Sequence, residues 1–134
     1  MASLLWLQGG ACSGNTMSFL NAEEPSACDL VTDFGIDVLW HPSLGMDMGD
    51  PVQKMLRDIA SGERDLDIFV FEGTVIMGPN GTGRFNMFAE RPMKDWVAEL
   101  APRANAVVAR GHHRVDIRLA RSSTGPYWES EGFI

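Results

Sequence analysis

The chain has 134 residues, 45% of them hydrophobic, and a formal net charge of −7. That length suits one domain with a real core, and the acidic balance excludes the basic patch of a nucleic-acid binder. Two cysteines do not make a disulfide scaffold. The N-terminus shows no signal-peptide pattern, and no apolar run approaches the roughly 20 residues that span a bilayer, so a cytoplasmic protein without a transmembrane segment is expected.

Ser3 to Gln8 is a short apolar run closed by Gly9-Gly10 and reads as a buried strand. Thr16 to Ala22 is predicted as a short helix, with Ser13 or Thr16 as its cap. Cys28 follows in Ala27-Cys28-Asp29-Leu30 and reads as a buried structural thiol. Ile36 to Trp40 is a second strand, stopped at His41-Pro42 because proline cannot donate to a ladder. Pro51 to Ser61 has a helical rhythm, with Val52, Met55, Leu56 and Ile59 on one face, Pro51 in the first turn and Gly62 at the stop. Leu66 to Phe71 is the most apolar strand. Ile76 to Arg84 is a loop turning at Gly78-Pro79-Asn80-Gly81. Pro92 to Leu100 is helical, with Met93, Trp96, Val97 and Leu100 on one face, and Ala106 to Ala109 is a fourth strand. Strands alternating with helices predict an α/β fold with a parallel sheet of four strands and helices on both faces. From His112 the pattern changes, and Val115 to Leu119 could add a fifth, edge strand.

Three positions carry chemistry. Cys12 lies in the glycine-rich turn Gly9-Gly10-Ala11-Cys12-Ser13-Gly14-Asn15-Thr16, after a strand and before a helix, where α/β sheets build ligand sites. A thiol there can bind metal or act as a nucleophile, and the glycines let backbone amides approach an anion or a sulfide. Glu72 ends the third strand after an apolar run, so it needs a partner or an interface, because burying it alone is costly. His41 ends the second strand, where its two readings are a hydrogen bond to a partner and, favoured, a structural cap of the strand end. Asp47 and Asp50 read as solvating a loop, and Met55 and Trp96 as core. His112 and His113 form an exposed pair.

The ordered pieces Trp6-Leu7-Gln8-Gly9-Gly10-Ala11-Cys12, Trp40-His41, Phe71-Glu72-Gly73-Thr74-Val75 and Val107-Val108-Ala109-Arg110-Gly111 each stand at or near a strand end. Together they resemble the N-terminal part of the small subunit of a [NiFe] hydrogenase. Ser13-Gly14-Asn15-Thr16 with Trp40-His41-Pro42-Ser43-Leu44-Gly45 is most similar to the actinobacterial-type, high-affinity subgroup. The resemblance covers residues 3 to about 111, which makes 1–111 a flavodoxin-like iron-sulfur domain and 112–134 a divergent tail. It implies an incomplete flavodoxin-like sheet of four to five strands, and an electron-transfer role in hydrogen oxidation. A proximal [4Fe-4S] cluster would have Cys12 as ligand and Glu72 nearby, and the Ni–Fe centre would lie on the large subunit. A redox protein or the quinone pool would accept the electrons, in the cytoplasm or at the inner face of the membrane.

The same resemblance places Asn15 at the family's second ligand position and His113 at the third, where cysteines are expected. The abrupt change at residue 111 is expected from truncation or a frameshift. Because the Ni–Fe centre would lie on the large subunit, the isolated chain is expected to be inactive in hydrogen uptake. Two other readings stay open. One is a non-functional truncated fragment. The other is an FMN-binding, flavodoxin-like electron carrier whose Ser13–Thr16 loop would cradle the phosphate at a helix N-terminus.

Overall fold

A computed structural model describes residues 1–110 of the chain. In chain order the elements are β1 (Ala2–Gln8), α1 (Gly14–Leu20), α2 (Ala27–Thr32), β2 (Ile36–Trp40), α3 (Asp50–Ser61), β3 (Leu66–Glu72), β4 (Met87–Phe88), β5 (Arg91–Pro92), α4 (Met93–Leu100) and β6 (Ala104–Arg110). Four strands form one parallel sheet in the order β2-β1-β3-β6. The fold is thus the expected α/β sheet with helices. The proposed fifth strand, Val115 to Leu119, and His112 and His113 lie outside the described residues.

Strand side chains alternate between faces, and the two faces are built differently. Leu5 and Leu7 of β1 stand beside Phe69 and Phe71 of β3 on one face. They form a single core with Val52, Met55, Leu56 and Ile59 of α3 and Met93, Trp96, Val97 and Leu100 of α4. These are the residues picked out by the 3.6-residue rhythm. Helix α3 ends at Gly62, whose φ of 86° is the left-handed conformation that glycine adopts without strain. Trp96 is fully buried, and its indole Nε1 donates to the Phe88 carbonyl at 2.8 Å.

The other face carries Trp6 and Gln8 of β1 beside Val70 and Glu72 of β3. Phe19 of α1 packs on Trp6 there, with ring centroids 5.2 Å apart. Helix α2 escaped the sequence reading. Its signal was Ser26-x-x-Asp29, which forms a reciprocal capping box: Ser26 Oγ accepts from the Asp29 amide, and the Asp29 carboxylate accepts from the Ser26 amide. No residue of α2 is buried, so Cys28 is exposed rather than a core thiol. The short β4–β5 hairpin was also not foreseen, since two-residue strands leave no periodicity to read.

Candidate functional site

Strand order places β2 and β3 on opposite sides of β1. The chain therefore leaves β1 toward one edge and later returns to the other. In open α/β sheets the carboxyl ends at such a switch point form the ligand crevice. Register brings Gln8 directly beside Glu72 at that end. The loops that leave β1 and β3 stay in backbone contact beyond the sheet: Gly9 N donates to Glu72 O at 2.8 Å, and Gly10 and Thr74 exchange amide bonds of 2.9 and 3.2 Å. This approach requires glycine. A Cβ on Gly9 would lie 2.3 Å from the Thr74 carbonyl oxygen, and one on Gly73, at φ 93°, would lie 2.6 Å from Ala11 Cβ.

Cys12 is exposed on this turn. Gln8 braces the turn from inside: its Nε2 donates to Ser13 Oγ at 2.8 Å, and Ser13 Oγ donates to Gln8 Oε1 at 3.1 Å. Ser13 has a left-handed backbone, φ 63°, and its side chain does not cap α1. Neither expected cap residue takes that role through its own side chain. The cap comes from Glu72. Its Oε1 accepts from the amides of Asn15 at 3.0 Å and Thr16 at 3.1 Å, and its Oε2 accepts from Trp6 Nε1 at 3.2 Å and from the Thr16 hydroxyl. Glu72 is fully buried and Thr16 is 2% exposed. Three N–H groups and a hydroxyl thus converge on one carboxylate, the acceptor-only arrangement that lets a charged group be buried.

Behind this group lies His41, 1% exposed. Its Nδ1 accepts from the Ser43 amide at 3.0 Å, which places the proton on Nε2, a buried atom that meets no hydrogen-bond partner among the described residues. Its ring stands edge-on to Trp6 at 4.8 Å. Burial holds the imidazole below its usual titration range, against the pull of the Glu72 charge in the other direction. The Ser43 bond fits the strand-end role read for His41, and it satisfies only one of the two ring nitrogens.

Of the expected site, the structure bonds Asn15 to Glu72 and leaves Cys12 exposed on the same turn, and it adds Trp6, Gln8 and Thr16, which the sequence reading had not assigned to it. Thr16 had one signal, a position that could cap the predicted helix; the side chain instead binds inward to the glutamate. Asp47 and Asp50 stand apart from this group. The Asp47 carbonyl accepts from Trp40 Nε1 at 3.2 Å, and Asp50 opens α3. Among the described residues, no three His, Cys, Asp or Glu side chains converge as a metal-binding set. The loops after β2 and β3 meet where Trp40 packs on Phe88, at 5.2 Å between ring centroids. They expose Leu44, Met46, Met48, Met77, Phe85 and Met87 at the same end of the sheet.

The family described as "NADH ubiquinone oxidoreductase, 20 Kd subunit" matches residues 12–112. The cytochrome c3 hydrogenase small chain of Acidithiobacillus ferrooxidans is 87% identical over 38 residues, 28% of this chain and 95% of that one. The F420 non-reducing hydrogenase II small subunit of Methanosarcina mazei is 29% identical over 119 residues, 81% of this chain and 31% of that one. The chain belongs to the hydrogenase small-subunit family. The reduced, active Ni-Fe-Se hydrogenase of Desulfomicrobium baculatum superposes with a TM-score of 0.66 at 26% identity, covering 81% of this chain and 41% of that one. This member of the hydrogenase small-subunit family thus spans somewhat under a third of the one longer relative and about two fifths of the other. Cys12 and Glu72 both fall within residues 12–112, the stretch that matches the family. Among the described residues, no helix is long and apolar enough to cross a membrane.

Proposed function

We propose that the chain is the N-terminal part of the electron-transfer small subunit of a [NiFe] hydrogenase that oxidises hydrogen. Cys12 is a ligand to the cluster nearest the partner's Ni–Fe centre. Glu72 and Asn15 border that site, and the large subunit covers it. The carrying observation is the Cys12 turn itself, held at the sheet's switch point by a buried carboxylate. The exposed methionines and Phe85, on segments that follow β2 and β3 at the sheet end from which the Cys12 turn also leaves, support a protein partner at this end, because apolar side chains gathered at one end of a surface mark interfaces. The acceptor is a redox protein or the quinone pool, the location is the cytoplasm or the inner face of the membrane, and the motif at Ser13–Thr16 supports the actinobacterial-type subgroup.

The donor set does not fit a whole [4Fe-4S] cluster. Such a cluster takes Cys₄ ligation in most proteins, and at this turn the described residues offer one thiol, Cys12, with a carboxamide at Asn15, while Cys28 lies on α2. His113, the expected third position, lies outside the described residues. The remaining ligands are expected from other parts of the protein or from a frame restored beyond Gly111, and with the Ni–Fe centre on the partner the chain alone is expected to be inactive.

The FMN reading loses its site. The amides of Asn15 and Thr16, which a phosphate would need, are taken by Glu72. A phosphate there would set a second anion against a buried one.

Co-production with a hydrogenase large subunit tests the proposal. Co-purification, with iron and sulfide that fall in C12A, is expected. A large subunit that ignores the chain would overturn it, as would yellow flavin absorbance in place of iron-sulfur absorbance. Sequencing the locus decides the frameshift: an open frame that restores Gly-x-Cys after Arg110 supports it, and an intact gene ending at Ile134 removes it.

A further inference from the structure

Helix α1 has no cap of its own. Ser13 precedes it with a left-handed backbone and turns its hydroxyl to Gln8. The helix has seven residues and buries only Thr16. Phe19 packs on Trp6 in its last turn, but local propensity does little for its first turn, since short helices are marginal in water. What holds its first turn is a side chain 56 residues away in sequence, the carboxylate of Glu72 on β3.

We propose that Glu72 is the positioning residue of the Cys12 turn. The turn has two ends. One is the backbone bridge between Gly10 and Thr74. The other is Asn15 and Thr16, whose amides both end on Glu72 Oε1. Cys12 lies between them, so the carboxylate that fixes the second end sets where the thiol is presented. Trp6 Nε1 holds the same carboxylate from β1 and stops it from turning away. A neutral amide cannot replace it. Glutamine at this position would offer one oxygen and one NH₂, and the NH₂ would face a donor, leaving buried groups unsatisfied. This inference rests on the reading that the Cys12 turn is the functional site, but it is tested without metal or partner.

The full chain supplies its own control, because Cys28 is a second exposed thiol on a separate helix. Two quantities would be measured at one fixed pH. The first is amide hydrogen exchange over residues 13–20, with 66–71 as reference. The second is the rate of iodoacetamide alkylation at Cys12 relative to Cys28, read by mass spectrometry. E72Q is expected to raise exchange over 13–20 by about tenfold, the scale of one charge-assisted bond lost, with 66–71 unchanged. The Cys12-to-Cys28 ratio is expected to change with it. T16V removes one donor but keeps the carboxylate and is expected to shift both readouts in the same direction, by less. T16S keeps the hydroxyl and is expected to restore wild-type values. An unchanged thiol ratio in E72Q and T16V would overturn the proposal, even if exchange rises, because Glu72 would then brace the helix without placing the thiol. If E72Q fails to fold, the contrast between T16V and T16S decides alone: equal ratios overturn the proposal. Failure of the iron-sulfur reading would appear instead in the iron and sulfide content of the complex.

Discussion

Helix α3 buries Val52, Met55, Leu56 and Ile59 against one face of the sheet, whereas α1, on the other face, buries only Thr16. The first is held by apolar area, with Pro51 in its first turn and Gly62 at its end. The second is held at its first turn by one carboxylate from another strand, with Phe19 against Trp6 as its apolar contact. The difference separates scaffold from site. Apolar packing tolerates imprecise placement, because many contacts share the load. Hydrogen bonds to a buried charge demand a fixed geometry, and that is what a ligand-bearing turn requires. The turn is therefore only as ordered as β3, which carries Glu72.

Perturbing the two sides should give effects of different size and reach. The largest is expected from W96A. It removes a fully buried indole from the α3–α4 core along with its bond to Phe88, at a cost of about 3–5 kcal/mol. Urea unfolding should show loss of the whole cooperative transition, not of one segment. E72Q comes next, at about 1.4 kcal/mol, the equivalent of the tenfold rise in local exchange. Its exchange signature should stay within residues 13–20, and a uniform loss of protection across all four strands would erase the contrast drawn between the helices. S26A sharpens the comparison from a third helix. Helix α2 has a local cap and no buried residue, so removing the Ser26 hydroxyl should cost about 1 kcal/mol and fray only residues 27–32, as read by exchange.

The smallest effect concerns pH. The folded chain holds His41 below its unfolded titration range, chiefly by burial. As pH falls below about 6.5 the unfolded chain takes up a proton that the folded chain does not. Stability should therefore be full above that pH. It should decline as pH drops toward the lowered value of the folded state, and then level off until carboxylates titrate. H41Q should flatten this window in a stability-against-pH series, and an unchanged slope would assign it to another group.

Much of the frame was legible from residue order. Strands at Ser3–Gln8, Ile36–Trp40, Leu66–Phe71 and Ala106–Ala109 each match an observed strand to within two residues at either end. Both long helices were found from their apolar faces, because that spacing is what a helix buries. Cys28 was misread, since a cysteine's general tendency to burial says nothing about a helix that buries no residue. The caps were misread for a related reason: Ser13 and Thr16 are good local cap residues, and the actual cap lies on another strand.

Composition and pattern by themselves determined that this chain builds a parallel α/β sheet, that a thiol ends its first turn and that a glutamate ends its third strand. These follow from periodicities of two and 3.6 residues and from punctuation by glycine and proline, which act over a few positions. Only the tertiary structure decided that the two ends meet. Parallel pairing of β1 with β3 lays Gln8 beside Glu72, the glycines at 9 and 73 allow the loops to touch, and the carboxylate then reaches α1. Contacts between residues more than 50 positions apart depend on strand order and register, and no local pattern along the chain encodes them.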